Sequence, residues 1–583
     1  MGLLKKKKKK LGKIRGSSGG GSSTETSPLR PVHDEKVAPC LVSGCPDHTK
    51  IREILTTISQ AEDAGRTYEE SYRKAFELFM ERNPLPAVCG RVCPHPCEDA
   101  CNRKYKEGAV AINKVERFIG DYALKNDWTV AHLTDEKHQE KIAIVGSGPA
   151  GLSAAYQLAR RGYNVTIYEA FAKAGGMLRY GIPDYRLPAD VLDAEIARIV
   201  NLGVEIKYNT IIGKDYPYEK LREDYDAVFV GIGAHKGKKL RLDNEDAVNV
   251  FAGTEFLNLI NSGRTVDVGD KVLVVGGGDT AIDAARISRR LGADVTIVYR
   301  RTRNEMPAIE EEIVGAEEEE VKFEFLLAPL ELIKEGDKVT AMRCQKMELG
   351  EPDNSGRRRP VPIDGEEITI PCTTVIPAIS QEPEFEGFDG IREGRDWVKV
   401  DDKFVTAQEK VFAGGDVLDL GLVINAIYHG RMAAATIHSN FRGIPIELDA
   451  ELDLPVADKT KVITSFYDEK VRNENKKLSP EERIKDLQKE IDSALSEEEL
   501  IDETKRCMSC GYCFDCGTCW SICQDQVIHK PLTRFQLYTF KLELCKGCFK
   551  CVEACPCGYI EMKDPLTGEL TPRDEEGKVI EQT

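Results

Sequence analysis

The stretch Lys141–Ala170, KIAIVGSGPAGLSAAYQLARRGYNVTIYEA, constrains the fold more than any other part of the chain. The apolar run Ile142–Val145 suits a buried parallel strand. Gly146, Gly148 and Gly151 follow at G-x-G-x-x-G spacing, with Pro149 and Ala150 opening a helix. The first glycine allows a sharp turn, the second lets backbone approach a pyrophosphate, and the third lets the helix pack on the strand. The free N–H groups at the helix start then face that anion. Val165–Tyr168 reads as the next strand, and Glu169 ends it 23 residues past Gly146, where a carboxylate can bind ribose hydroxyls. Strand, turn, helix and acid in this order predict a dinucleotide site rather than an unrelated tight turn.

The pattern recurs at Asp270–Arg301, DKVLVVGGGDTAIDAARISRRLGADVTIVYRR. Strand Val272–Val275 precedes Gly276, Gly278 and Ala281 in G-x-G-x-x-A spacing, with Asp279 and Thr280 between them. Strand Val295–Tyr299 ends on Arg300 and Arg301 instead of an acid. Guanidinium groups there suit a 2′-phosphate, so NADP(H) is expected ahead of NAD(H), which stays open; a solvated surface pair is the alternative. Asp226–Ala234 reads as a strand returning to the first sheet, and Val411–Asp416, VFAGGD, as another that closes it. Asp416 is placed to bind flavin ribityl hydroxyls, the alternative being a turn aspartate. Gly430–Ala434 reads as the start of a helix.

Nineteen cysteines in a chain that starts without the apolar core of a secretion signal argue for metal or cluster ligands in a reducing, cytoplasmic setting. Cys513, Cys516, Cys519 and Cys523 form C-x2-C-x2-C-x3-C, and Cys545, Cys548, Cys551 and Cys555, followed by proline, repeat it. This is the two-cluster ferredoxin pattern, in which the fourth cysteine of each run serves the other cluster. The expected sets are therefore Cys513, Cys516, Cys519 with Cys555, and Cys545, Cys548, Cys551 with Cys523. Cys507, Cys510 and Cys557 are left as structural or spare. Upstream, Cys40 and Cys45 precede CGRVCPHPCEDAC, which holds Cys89, Cys93, Cys97 and Cys101. Pro94 and Pro96 break what would be a helical stripe into loops around a metal, suiting iron–sulfur ligation; a zinc knot is the alternative.

At 583 residues and 41% hydrophobic content, several cores are expected. The expected units are a basic, Gly/Ser-rich tail over 1–30 and a helical iron–sulfur domain over 31–135. Residues 136–250 and 376–455 form the two parts of the first dinucleotide domain, around a second over 251–375. A helical linker over 456–505 and a ferredoxin domain over 506–583 complete the chain. Ile51–Ala64 and Tyr68–Arg82 read as helices, and Ile484, Leu487, Ile491 and Leu495 repeat at helical spacing after the Ser479-Pro480 cap. The fold class is thus α/β with two nested Rossmann-like domains, a helical module at one end and a ferredoxin-like α+β module at the other. Net charge is −17, and subtracting the +8 of Lys5–Lys10, Lys13 and Arg15 leaves −25, which argues against nucleic acid as a partner. No apolar run is long enough to span a membrane. No C-x-x-C occurs in residues 136–505, which argues against a disulfide relay, and no separate catalytic residues are assigned.

These nested sites, the N-terminal cysteines and the phrase GGMLRYGIPDYRLP resemble the small (β) subunit of glutamate synthase and its relatives over residues 36–450. The resemblance implies a glutathione-reductase-like fold with FAD in the first site and NADPH in the second. It makes Gly146, Gly148, Pro149, Ala150, Gly151, Glu169, Gly176, Met177 and Asp416 flavin contacts. Gly276, Gly278, Asp279, Thr280, Ala281, Arg300 and Arg301 become nicotinamide-nucleotide contacts. It also implies a non-cysteine ligand, Glu116, joining Cys45, Cys93 and Cys97 around one 4Fe–4S cluster; a second would use Cys40 and Cys101. Six cysteines and Glu116 leave two clusters one ligand short, because two further cysteines usual in the family are missing ahead of Cys40. Ser380 stands where the family has a glycine. The appended module, with CMSCGYCFDCGTCWSIC and CPCGYIEM, is similar to iron–sulfur flavoproteins that work with dissimilatory sulfite reductase. The expected function is NAD(P)H:acceptor oxidoreduction through FAD and 4Fe–4S clusters to a redox protein partner. That partner is a sulfite reductase, with a glutamate synthase large subunit as the alternative; a homodimer is also compatible.

Overall fold

Two parallel sheets frame the computed structural model, which describes residues 26–353, 356–388, 390–392, 397–446 and 450–570. Residues 1–25 of the expected tail lie outside the described residues. The first sheet has five strands in the order Val411–Ala413, Ala227–Val230, Lys141–Val145, Asn164–Tyr168, Glu205–Lys207. Its central strands are apolar on both faces because helices cover both sides. One cover is Pro149–Arg160. Another is Val423–Arg442, a single 20-residue helix in which Gly430 is central, not initial as the sequence suggested. A side chain on Gly430 would meet the Ala150 carbonyl at 2.1 Å, so the two helices touch backbone to backbone.

The second sheet runs Thr374–Pro377, Lys271–Val275, Asp294–Tyr299, Lys322–Phe325, all parallel, and a three-stranded antiparallel meander over 327–371 leans on it. The chain crosses between the two units through Lys236–Gly237 and Gln381–Glu382, which pair antiparallel.

The helical module packs on the first unit. Tyr72, Ala75, Phe76 and Phe79 of helix Tyr68–Met80 are all buried, on the face the spacing predicted. Helix Ile51–Ser59 is shorter than its pattern suggested, since the chain turns toward Gly65 at φ +66°. Helices Pro86–Val92 and Ile112–Lys125 cross at two glycines: a Cβ on Gly90 would fall 2.4 Å from the Arg117 backbone, and one on Gly120 2.4 Å from that of Ala87.

The connector departs from expectation. Helix Pro480–Ile484 forms under its Ser479 capping box, then stops. Asp486 Oδ1 accepts from the backbone N–H groups of Gln488 and Lys489, a local turn that competes with helix. Leu487 and Ile491 therefore pack on the second unit as single anchors.

Arg30–His33 also falls elsewhere than expected. It is the antiparallel partner of Ile560–Lys563, so the start of the described chain forms an edge of the C-terminal module. No described helix is long and apolar enough to cross a membrane.

Candidate functional site

The first glycine turn opens onto a cavity of about 630 Å³. Gly146 sits at φ +95°, and a Cβ there would lie 2.5 Å from the Gly231 carbonyl oxygen; a Cβ on Gly151 would lie 2.0 Å from that of Gly146. Gly148 precedes helix Pro149–Arg160 and faces Gly176, whose own Cβ would come within 2.8 Å of the Gly148 Cα. These two bare backbones and the helix start make a cradle with no side chain in it, which suits a pyrophosphate. Gly146, Gly148, Pro149, Ala150, Glu169, Gly176, Met177 and Asp416 all line this cavity, while Gly151 supports it through helix packing. The Glu169 carboxylate accepts from Ser147 N–H at 2.9 Å, from the Ser147 hydroxyl, and from Phe171 N–H at 2.8 Å, which fixes it at the strand end. Burial pushes Asp416 up to about 6 and His235, in the same wall, down to about 4.

A second cavity of about 510 Å³ lies over Gly276–Gly278, Thr280, Arg300 and Arg301. A Cβ on Gly276 would lie 2.3 Å from the Ala378 carbonyl oxygen. Arg300 is exposed on the wall. Arg301 is held: Nε donates to the Arg358 carbonyl at 2.7 Å and Nη2 pairs with Asp353 at 2.7 Å. Arg357, from the same meander, also lines the cavity, a residue that sequence spacing gave no reason to choose. Ala281 is buried in the helix packing, and Asp279 lines the first cavity instead of the second. Thr280 and Gln381 line both cavities, so the two dinucleotide sites meet there.

The expected cluster ligands also gather. The glycine crossing of two helices brings Cys89 and Cys93 toward Glu116, and Gly44, whose Cβ would lie 2.6 Å from the Cys97 Cα, brings Cys45 to Cys97. Cys45 and Cys93 act electrostatically on Cys97, and Glu116 on both Cys45 and Cys93. Burial is the main cause that pushes Cys45 up to about 11 and the Glu116 carboxyl, which accepts from Asn83 Nδ2 at 2.7 Å, up to about 8. Such groups give up their protons when metal binds. At the other end, Cys519 and Cys555 are buried in one core, against which Cys513, Cys523 and Cys551 pack. Cys516 and Cys548 are exposed members of those runs. Cys40 and Cys101 neighbour each other and Cys507 and Cys510, the pair that the sequence left without a role.

Residues 140–430 match the family described as pyridine nucleotide-disulphide oxidoreductase. Residues 34–128 match the one described as dihydropyrimidine dehydrogenase domain II, 4Fe-4S cluster. The chain is 39% identical over 508 residues to the NADP(+)-dependent formate dehydrogenase subunit beta of Moorella thermoacetica, covering 81% of this chain and 70% of that one. It is 37% identical over 523 residues to the NADPH-Fe(3+) oxidoreductase subunit beta of Geobacter sulfurreducens, covering 82% and 75%. It is 37% identical over 419 residues to the glutamate synthase (NADPH) small chain of Escherichia coli, covering 67% and 86%.

Proposed function

Because this chain belongs to the glutamate synthase small-subunit-like family of pyridine nucleotide-linked iron–sulfur flavoprotein oxidoreductases, we propose that it is the NADP(H)-handling subunit of a larger redox assembly. Its task is to pass electrons between NADP(H) and a protein partner in the cytoplasm. The carrying observation is the meeting of two dinucleotide cavities at Thr280 and Gln381. Bound FAD supplies hydride exchange with the nicotinamide ring, and the 4Fe–4S centres supply single-electron transfer.

The protein's own groups hold and orient. The cradle of Gly148 and Gly176 and the helix start receive the flavin pyrophosphate, and Glu169 receives its ribose hydroxyls. Asp416 binds the ribityl chain. Arg300 and Arg301 hold the 2′-phosphate that separates NADP(H) from NAD(H). Thr280 and Gln381 line both cavities and would orient the two cofactors toward each other, and neutral His235 adds no charge to the first cavity's wall.

The partner in this reading is a sulfite-reductase-type enzyme, supported by the second iron–sulfur module appended after residue 505. A glutamate synthase large subunit is the second reading, favoured by the similarity to the E. coli small chain. Anaerobic NADPH titration should bleach the flavin band; a band that stays unchanged rejects the NADP(H)-linked reading. Affinity capture from the native host under anaerobic conditions, read by mass spectrometry, decides between the two partners.

A further inference from the structure

Two cysteines from near one end of the chain and two from near the other meet at the junction of the helical and C-terminal modules. We propose that Cys40, Cys101, Cys507 and Cys510 ligate one 4Fe–4S cluster whose protein ligands come from both ends of the sequence. The inference rests on the iron–sulfur reading above and supplies the two ligands that Cys40 and Cys101 need to complete a set of four, leaving Cys89 outside it.

The loop carrying Cys507 and Cys510 is fastened to the helical module, not to the ferredoxin runs alone. Lys36 N–H donates to the Gly511 carbonyl at 3.0 Å, and a Cβ on Gly511 would lie 2.4 Å from the Lys36 carbonyl oxygen. Arg52 Nη1 donates to the carbonyls of Lys36 at 2.7 Å and Cys510 at 3.0 Å. Arg103, two residues past Cys101, donates to the Arg506 carbonyl at 3.0 Å, and Arg506 returns a bond to the Ala109 carbonyl at 2.8 Å. Arg103 and Arg506 are almost wholly buried, so these contacts are formed away from solvent and fix the loop.

The sulfurs themselves are addressed by donors. Asn102 Nδ2 donates to Cys510 Sγ at 3.4 Å, and Ser509 N–H to Cys507 Sγ at 3.5 Å. Cys40 is buried in the core against which Cys101, Cys507 and Cys510 all pack. Four thiols with cationic and amide donors around them match the thiolate ligation of a cluster. Ligation replaces four S–H bonds with four bonds to iron and releases four protons to solvent.

The test uses the full chain, purified anaerobically, with iron, acid-labile sulfide and FAD counted per chain and reduced samples read by EPR. Cys507→Ala and Cys510→Ala should each lose about four iron and four sulfide while keeping FAD. Cys557→Ala, beside the ferredoxin runs, should lose none. The double variant Cys510→Ala with Cys513→Ala should lose about eight iron, since two separate clusters are cut; a loss of about four would assign Cys510 to the ferredoxin cluster and overturn the proposal. Full iron in the two single variants overturns it as well. The EPR signal removed by Cys101→Ala should be the one removed by Cys507→Ala, which holds even where a variant folds poorly enough to shed FAD; two different signals reject the shared cluster. An absence of iron in the wild-type protein would instead sink the iron–sulfur reading itself.

Discussion

Arg431 Nε donates to Asp47 Oδ1 at 2.8 Å, joining the helix over the flavin cavity to the loop just past Cys45. Asp47 is fully buried and Arg431 nearly so. Removing one partner of a buried ion pair costs about 3–5 kcal/mol. Arg431→Met should therefore lower the denaturant midpoint clearly, and the double change with Asp47→Asn should recover most of the loss. Equal losses in the single and double variants would show that the pair itself does not couple the modules.

The arginines at the end of the second dinucleotide unit should separate the two nicotinamide cofactors. A hydrogen bond to a charged group contributes about 1.5–3 kcal/mol, roughly a tenfold to hundredfold effect. Arg300→Ala should lower kcat/KM for NADPH by that factor and leave NADH unchanged. Arg301→Ala should do the same and also weaken the meander by about 1 kcal/mol through loss of its Asp353 contact. Steady-state kinetics with both cofactors checks this, and parallel losses for NADH would point to general damage.

His235 gives a pH dependence with a defined sign. Burial holds it down to about 4 against an ordinary 6.5, so between those values the unfolded chain binds the proton that the folded one refuses. Its contribution is complete above about pH 6.5 and is lost as pH falls toward 4, a change of about 2 kcal/mol after allowing for its partial exposure. His235→Gln should flatten the stability profile in that window. An unaltered slope in urea titrations from pH 7 to 4 would assign the dependence to other groups.

Gly430→Ala tests the helix contact behind the flavin cavity. The added methyl meets the Ala150 carbonyl and the Ala154 backbone nitrogen, neither of which can rotate away. Overpacking of this kind costs about 1–3 kcal/mol. Because Ala150 lines the cavity, FAD should also dissociate faster, measurable by the rise of free-flavin fluorescence on dilution.

Much of this architecture was readable because its signals are local. Each glycine turn lies within about thirty residues of its own two strands, and Glu169 within that of the first, so spacing alone sets their geometry. The two cysteine runs are equally local signals, and their crossed ligation is a proposal that rests on spacing. Contacts made at long range were not. Asp279 follows the second glycine turn but lines the first cavity, because the two units lean together at Thr280. Arg301 looked free of structural duties until the meander brought Asp353 to it. The apolar spacing of Ile484 to Leu495 suggested a helix that the Asp486 turn ends, since periodicity does not register a side chain competing for backbone N–H groups. Cys507 and Cys510 looked spare because their neighbours sit at the opposite end of the sequence.

The pairing of Arg30–His33 with Ile560–Lys563 bears on how the protein is made. A ribosome delivers the first strand long before its partner exists; the nearby Lys36 waits 522 positions for the Gly558 carbonyl it binds. The central units can fold as they emerge, while the early segment must stay unpaired and accessible until residues 560–563 have been made. Completion of this sheet therefore waits on residues 560–563, and a chain truncated before residue 560 would leave the strand Arg30–His33 without a place in it.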